Sequence, residues 1–432
     1  MLKNIYIETY GCAANQNNSE IISGLLSRAG FNIVNNPKIA DLAILNTCIV
    51  KGPTLQRMQS RIKQLSREFK RIIVTGCMPD ALSEQIKQIN PRAILLSSHK
   101  IKNITKVMRN LIENKPITDL KEKNSEIKLL CPKNRKNPVI GITQISEGCL
   151  GNCAYCVTRF AKGSLFSYPE ESILKNIEQD IKGGCKEIWL TSQDCAAYGK
   201  DKTKNSQLPK LLKKILSLKH NFLMRMGMSN PNHILPILDD LIECYQDKKM
   251  FKFLHIPIQS GSNEVLRKMN RYYNINDVFR IIEEFRKKIP EINIVTDIII
   301  GFPGETDEDF QKTMDAIARI KPDLINISRF WPMPRTPAAH LKKIHDSITK
   351  KRSKLLKELL FKITIEKNKK RIGDEITALV DEKGWDFSRT WIARSSEYYP
   401  IIVPSQEKVL GEKIKIKIKS VTPQYLIGEI VK

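Results

Sequence analysis

The apolar pattern of the chain changes period along its length, and this limits it to a mixed α/β architecture of several domains. From residue 4 to about 329, short runs rich in Ile, Val and Leu alternate with stretches whose apolar residues recur every three or four positions. The first pattern suits buried strands and the second amphipathic helices, so the alternation predicts parallel sheets covered by helices. In the first 120 residues, strands are expected at 4–9, 42–46, 71–75 and 93–96, with helices at 18–28 and 54–69. Residues 119–137 are charged, contain Pro132 and lack apolar periodicity, which reads as a linker or exposed crossover.

The alternation resumes over strands at 139–145, 187–191, 223–226, 253–257, 294–299 and 324–328. The intervening helices are expected at 169–182, 210–219, 234–245, 275–288 and 307–320. Six βα units predict a partial TIM-like barrel with its site at the carboxyl ends of the strands. A doubly wound sheet is the competing fold. Residues 341–370 read as a helix with 11 Lys+Arg against 3 acidic residues, either a solvated face or a basic ridge beside the site. Short β runs at 376–380, 390–393, 401–403, 413–418 and 426–430 then predict a small antiparallel barrel, since closure removes exposed edges. The expected domains are therefore 1–120, 138–365 and 370–432, in keeping with a 432-residue chain too long for one core.

The formal charge is +26, from 72 Lys+Arg against 46 Asp+Glu, enough to steer a polyanion to the surface. In the run 413–419, Lys413, Lys415, Lys417 and Lys419 alternate with isoleucine, placing four charges on one face for a phosphate backbone. There is no 18-residue apolar run and no secretory signal, so a cytoplasmic protein without a membrane span is expected. Ten cysteines in such a chain read as thiols and metal ligands and not as disulfides.

Three of them carry the chemistry. Cys149, Cys153 and Cys156 are spaced C-x3-C-x2-C just after a predicted strand, and residues 157–163 offer no further Cys or His. Thiolates select zinc or iron–sulfur centres. Three ligands can hold a [4Fe–4S] cluster with one iron left open, the arrangement of a reactive site; a zinc knuckle completed from far away is the plainer alternative. Cys12, Cys48 and Cys77 have no compact spacing, yet each follows a predicted strand and so lies at the same carboxyl edge, where open α/β sheets bind ligands. Gly11 and Gly76 precede two of them and would allow close backbone approach to a bulky inorganic core. A second three-thiolate cluster is expected there, against the alternative of three buried small cysteines. Cys185 and Cys244 read as packing residues, and Cys195 lies near the site.

Polar groups at predicted strand ends are candidate cofactor contacts: Ser192 and Gln193 after the second barrel strand, Arg225 in the third, His255 and Gln259 at the fourth, and Asp297 in the fifth. Tyr155, between two of the cysteines, is a candidate to press its ring on an adenine. His255 is equally readable as a satisfied core histidine.

With these motifs the chain resembles the radical S-adenosylmethionine (radical SAM) superfamily and, within it, the MiaB-type methylthiotransferases. The resemblance spans essentially the whole length, through Gly11-Cys12, Asn46-Thr47-Cys48, Gly76-Cys77, the three clustered cysteines, the run 255–260, the run 297–306 and a C-terminal TRAM domain. Residues 50–53, Lys162-Gly163, 188–194, 197–199 and 225–231 are similar to the archaeal and eukaryotic threonylcarbamoyladenosine tRNA branch. Pro334-Arg335-Thr336-Pro337 departs from the pattern, where relatives often have glycine before the threonine; Arg335 is a candidate phosphate contact or a turn variant.

The resemblance implies two [4Fe–4S] clusters and S-adenosylmethionine as both radical source and methyl donor. It also implies transfer of a methylthio group to C2 of the modified adenosine next to the anticodon. That carbon is an unactivated aromatic C–H position, beyond side-chain acid–base chemistry and within that of a cofactor. The implied partners are tRNA with a threonylcarbamoyladenosine-modified loop, an electron donor such as ferredoxin or flavodoxin, and a sulfur donor. The alternatives are a methylthiotransferase acting on a ribosomal-protein aspartate, a radical SAM RNA enzyme whose N-terminal cluster relays electrons, and a zinc-bearing RNA-binding module.

Overall fold

The computed structural model describes residues 2–116, 126–384 and 389–431. The N-terminal strands form a five-stranded, wholly parallel sheet in the order Asn32–Val34, Asn4–Thr9, Leu42–Thr47, Ile72–Gly76 and Ile94–Leu95. The short edge strand Asn32–Val34 is additional to the sequence expectation, being too brief to signal itself. Leu42–Thr47 and Ile72–Gly76 are buried along their whole length, as their apolar runs 42–45 and 72–74 require. Helices Ala13–Arg28 and Ile104–Ile112 cover one face, while Gly52–Glu68 and Cys77–Ile89 cover the other.

The middle of the chain supplies six parallel strands in two hydrogen-bonded groups of three. Ile140–Gln144, Glu187–Thr191 and Leu223–Met226 form one, and Phe253–His255, Asn293–Ile300 and Leu324–Arg329 the other. A parallel bridge between Met224 and Met250 joins them. Along Leu223–Met226 the fully buried Met224 and Met226 face the surrounding helices, whereas Arg225 turns inward. Six βα units make a partial barrel, as expected.

The stretch expected to be a linker or exposed crossover is otherwise where it is described. Lys128 is fully buried, Leu129 joins the barrel core, and Lys133 and Arg135 both pair with Asp180. Its charges look like those of a solvated linker, but Lys128, Lys133 and Arg135 each pair with a buried carboxylate. The part at 119–125 lies outside the described residues.

Helix Asp346–Lys369 runs along the barrel and leads into a closed five-stranded barrel ordered Glu375–Lys383, Thr390–Arg394, Pro400–Pro404, Leu426–Ile430, Lys413–Val421. Four of its neighbouring pairs are antiparallel, and Pro400–Pro404 with Leu426–Ile430 is parallel. The expectation of an all-antiparallel barrel fails on arithmetic: an odd ring of strands cannot alternate direction all the way round. Among the described residues no helix is long and apolar enough to cross a membrane.

Candidate active site at the domain junction

Both cysteine trios lie at strand carboxyl ends. Cys12, Cys48 and Cys77 each follow a strand of the N-terminal sheet, and the register partners Thr9–Asn46, Asn46–Thr75 and Thr47–Gly76 bring those ends level. The sheet order reverses at the first of these strands, so the trio sits at the topological switch point. Cys12 precedes helix Ala13–Arg28 and Cys77 begins helix Cys77–Ile89, where unpaired amides and the helix dipole favour an anionic ligand.

The glycines beside them serve a closer purpose than room for an inorganic core. Gly11 and Gly76 have φ of +112° and +88°; a side chain at Gly11 would strike Cys48, and one at Gly76 would strike the Thr47 carbonyl. They let the three loops close on one another. Asn15 completes the closure by donating to the Tyr10 and Thr47 carbonyls, while Asn46 donates to Asn15 O and Ser19 Oγ. Asn15 was not foreseen, because an amide at the start of a helix ordinarily signals only a solvated turn, and Asn46 entered only through the resemblance.

In the second trio, the Gly151 N–H donates to Cys149 Sγ at 3.2 Å, and an Arg271 N–H donates to Cys153 Sγ at 3.2 Å. Gln193 accepts from the N–H of Gly148, bracing the turn that leads into Cys149. Arg271 also donates to Asn230, which with His233 binds Asp194. Arg271, Asn230 and His233 line a cavity beside Cys153. They too were missed, since none belongs to a recognisable spacing.

The thiols of each trio lie within electrostatic reach of one another. Burial pushes Cys77 and Cys149 each up to about 12, with the neighbouring thiols adding to the shift. Buried thiols in such company ionise only against a cationic partner, which bound iron provides. Among the described residues, no three His, Cys, Asp or Glu side chains close around a single metal ion. Three thiols in each set make a soft donor group of the kind that zinc or an iron–sulfur centre takes.

The other candidates separate into groups. Asp297 Oδ2 meets His255 Nε2 at 2.8 Å and its Oδ1 accepts from Asn326 at 2.8 Å, on neighbouring strands facing the lumen. Burial raises the Asp297 carboxyl, but His255, Asn326 and the more distant Lys51 outweigh it and hold it below the usual value. His255 is thus a partnered lumen residue and not a core one. Gln259 has φ of +69° and is bonded through its backbone between Asp297 and Ile299. Ser192 donates to Cys195 Sγ, and Cys195 is buried against Gly227, a packing role like that of Cys185 and Cys244. Tyr155 meets the Phe302 ring edge-on at 6.4 Å.

Arg225 lies among the rings of Trp189, Phe253 and Tyr398, with Tyr398 contributed by the C-terminal barrel. That places it toward the barrel floor, away from the cysteine loops. Arg335 stays exposed, and its guanidinium donates to Ala81 O at 2.9 Å and covers the Phe160 ring, bracing the N-terminal domain against the barrel. Lys413, Lys415, Lys417 and Lys419 are all exposed while Ile416 and Ile418 fill the small barrel. Lys415 and Lys419 are nevertheless paired with Glu375 and Glu429, each at 2.5 Å.

The two trios face a common junction. Trp331, beyond the last barrel strand, packs directly on Gly52, which follows the Cys48 loop, and His99 bonds the Ala161 carbonyl at 2.8 Å. Val157, Ala161 and Met333 of the barrel complete the core of the N-terminal domain.

This is the architecture of a radical SAM enzyme carrying a C-terminal TRAM domain. The Radical SAM superfamily model matches residues 143–317, the TRAM domain model 369–431, and the model of an uncharacterized protein family, UPF0004, residues 4–97. The chain belongs to the threonylcarbamoyladenosine tRNA methylthiotransferases. It is 41% identical to a probable member from Pyrococcus abyssi, over 99% of both chains. It is 34% identical to the Drosophila pseudoobscura enzyme, over 99% of this chain and 77% of that one. Among solved structures, the radical S-adenosylmethionine methyltransferase TsrM from Kitasatospora setae, with cobalamin and a [4Fe–4S] cluster bound, is similar in fold. Its TM-score is 0.59 at 14% identity, covering 78% of this chain and 77% of TsrM.

Proposed function

We propose that this chain transfers a methylthio group to C2 of N6-threonylcarbamoyladenosine in a tRNA anticodon loop, in a cytoplasmic setting. The observation that carries this reading is the pair of cysteine trios at the facing carboxyl ends of two sheets, joined at one junction. Cys149, Cys153 and Cys156 would hold one [4Fe–4S] cluster, and Cys12, Cys48 and Cys77 a second. When bound, the first supplies the electron that cleaves S-adenosylmethionine and the second the site from which sulfur is delivered.

The chain's own residues have three tasks. Gly151, Arg271 and Gln193 fix the Cys149–Cys156 loop, with Asp194 and His233 supporting Arg271 through Asn230. Asp297, held by His255 and Asn326, offers an anionic polar group in the lumen. Ala161 and Met333, buried in the core of the N-terminal domain, hold the two domains together at the junction, where shielding from water would suit radical chemistry. A single-stranded loop presents its base to such a pocket at an unstacking cost of about a few kcal/mol. Electrons and sulfur would come from a small redox protein and a separate sulfur donor. Mass spectrometry of anticodon-loop nucleosides from cells with and without the gene tests the reading: the methylthiolated nucleoside is expected only with the gene, and its persistence without the gene overturns the assignment.

A further inference from the structure

Two buried lysines share one buried carboxylate at the domain junction. Lys128 Nζ lies 2.8 Å from both Glu147 oxygens and Lys162 Nζ lies 2.9 Å from one of them; all three side chains are at most 1% exposed. Burial by itself would raise Glu147, but the two ammonium groups hold it well below the usual carboxylate range, so it is anionic. Two ammonium groups on one carboxylate leave the triad one positive charge in excess in a dry interior, with Glu126 acting on it from the Lys128 side. Its other close contacts are the neutral Ser98 Oγ, 3.1 Å from Lys162, and His99 Nδ1, 3.4 Å from Glu147. Asp80 stands one hydrogen bond further on, through Ser98.

The surplus charge has a direction. Lys162 Nζ shares the Ser98 hydroxyl with Asp80 of the helix that Cys77 begins, and its neighbour Ala161 packs in one buried cluster with Cys77 and Met78. Lys162 and the Cys77 thiol act on one another electrostatically, whereas Lys128 has Glu126 on its other side. Lys162 ends the short helix Thr158–Lys162 that follows Cys156, so a residue carried by the barrel's cysteine loop faces the other trio.

We propose that Lys162 is a positioning residue, supplying the fixed positive charge that faces Cys12, Cys48 and Cys77 and raises the reduction potential of the group they hold. The inference rests on reading that trio as cluster ligands. Three thiolates on an iron–sulfur core are net anionic, and adding an electron makes the group more so; a fixed cation favours the reduced form. One electron enters and no proton need follow.

The full chain with C149A/C153A/C156A isolates the N-terminal site, and spectroscopically monitored redox titration after anaerobic reconstitution reads its midpoint. Adding Lys162→Gln is expected to keep the iron and to lower the reduced fraction at a fixed potential about tenfold, a fall of about 59 mV for a one-electron couple. Lys128→Gln removes the same charge from the far side of Glu147 and should shift the midpoint less. An unmoved midpoint in Lys162→Gln, or an equal shift in Lys128→Gln, overturns the proposal. Should Lys162→Gln bind no iron, Lys162→Arg must restore both iron and midpoint, and its failure to do so also overturns it. Absence of iron from the triple-cysteine background itself would instead remove the ligand reading of the N-terminal trio.

Discussion

The Tyr398 hydroxyl donates to Glu187 Oε1 across 2.8 Å, tying the C-terminal barrel to the floor of the central one. Tyr398 is 6% exposed and packs edge-on against Phe251 and Phe253, with the guanidinium groups of Arg225 and Arg394 on its ring. The C-terminal domain therefore closes the end of the central barrel opposite the cysteine loops.

Truncating that plug should unfold more than the small domain. Tyr398→Ala is expected to destabilise the chain by about 3–5 kcal/mol, the usual range for a buried aromatic. Tyr398→Phe, which leaves Glu187 short of one donor, should cost about 1–3 kcal/mol. Denaturant unfolding followed by tryptophan fluorescence measures both, and equal stability of the Ala variant and the parent would show the contact to be incidental.

The floor carboxylates give this junction a pH dependence. Burial raises both Glu187 and Asp381 above their ordinary values, and the Glu187 charge adds to the shift of Asp381. Between the ordinary and the raised values the folded chain keeps protons that the unfolded chain has released. Their contribution is therefore full below about pH 4 and falls as pH rises through that window. Glu187→Gln with Asp381→Asn should flatten this slope. Thermal midpoints of parent and double variant, compared from about pH 4.5 upward, are expected to converge or cross; a constant difference would refute the assignment.

The six βα units and the shared edge of Cys12, Cys48 and Cys77 were legible because both follow from local period and from what ends a strand. Tyr398 was not, since its partner Glu187 lies 211 residues away and a Tyr in a β-rich tail carries no signal of insertion. The burial of Lys128, Glu147 and Lys162 was hidden for the same reason: sequence shows a charge but not the partner that permits its burial. The departure at Arg335 is visible in sequence, but its φ of +68° and its bond to Ala81, which carry it to the N-terminal domain, exist only in three dimensions.

Iron content should report two independent sites. Anaerobically reconstituted chain is expected to carry about eight irons, and C149A/C153A/C156A about four. C12A/C48A/C77A should still cleave S-adenosylmethionine reductively, because Arg271, Asn230 and His233 remain beside Cys153. Its methylthiolated product should vanish. Product at the parental rate in that variant would mean the N-terminal cysteines do not deliver sulfur.

The lysine stripe should divide into two unequal halves. All four side chains face solvent, but Lys415 and Lys419 already have Glu375 and Glu429 as partners, and a phosphate must compete with those carboxylates. Among the described residues Lys413 and Lys417 carry no ion pair, so they should make the stronger backbone contacts. Each phosphate neutralised on a single strand adds about 0.7 to the slope of log affinity against log salt. Lys413→Gln with Lys417→Gln is expected to reduce that slope by about 1.4 and to weaken tRNA binding several-fold at low salt. Lys415→Gln with Lys419→Gln should change it less, and Glu375→Gln with Glu429→Gln should tighten binding by freeing their partners. Filter binding across a salt series measures all three. If the slope stays unchanged in the first pair, the RNA grip lies elsewhere, and the next surface to alter is helix Asp346–Lys369, whose exposed lysines run beside the barrel.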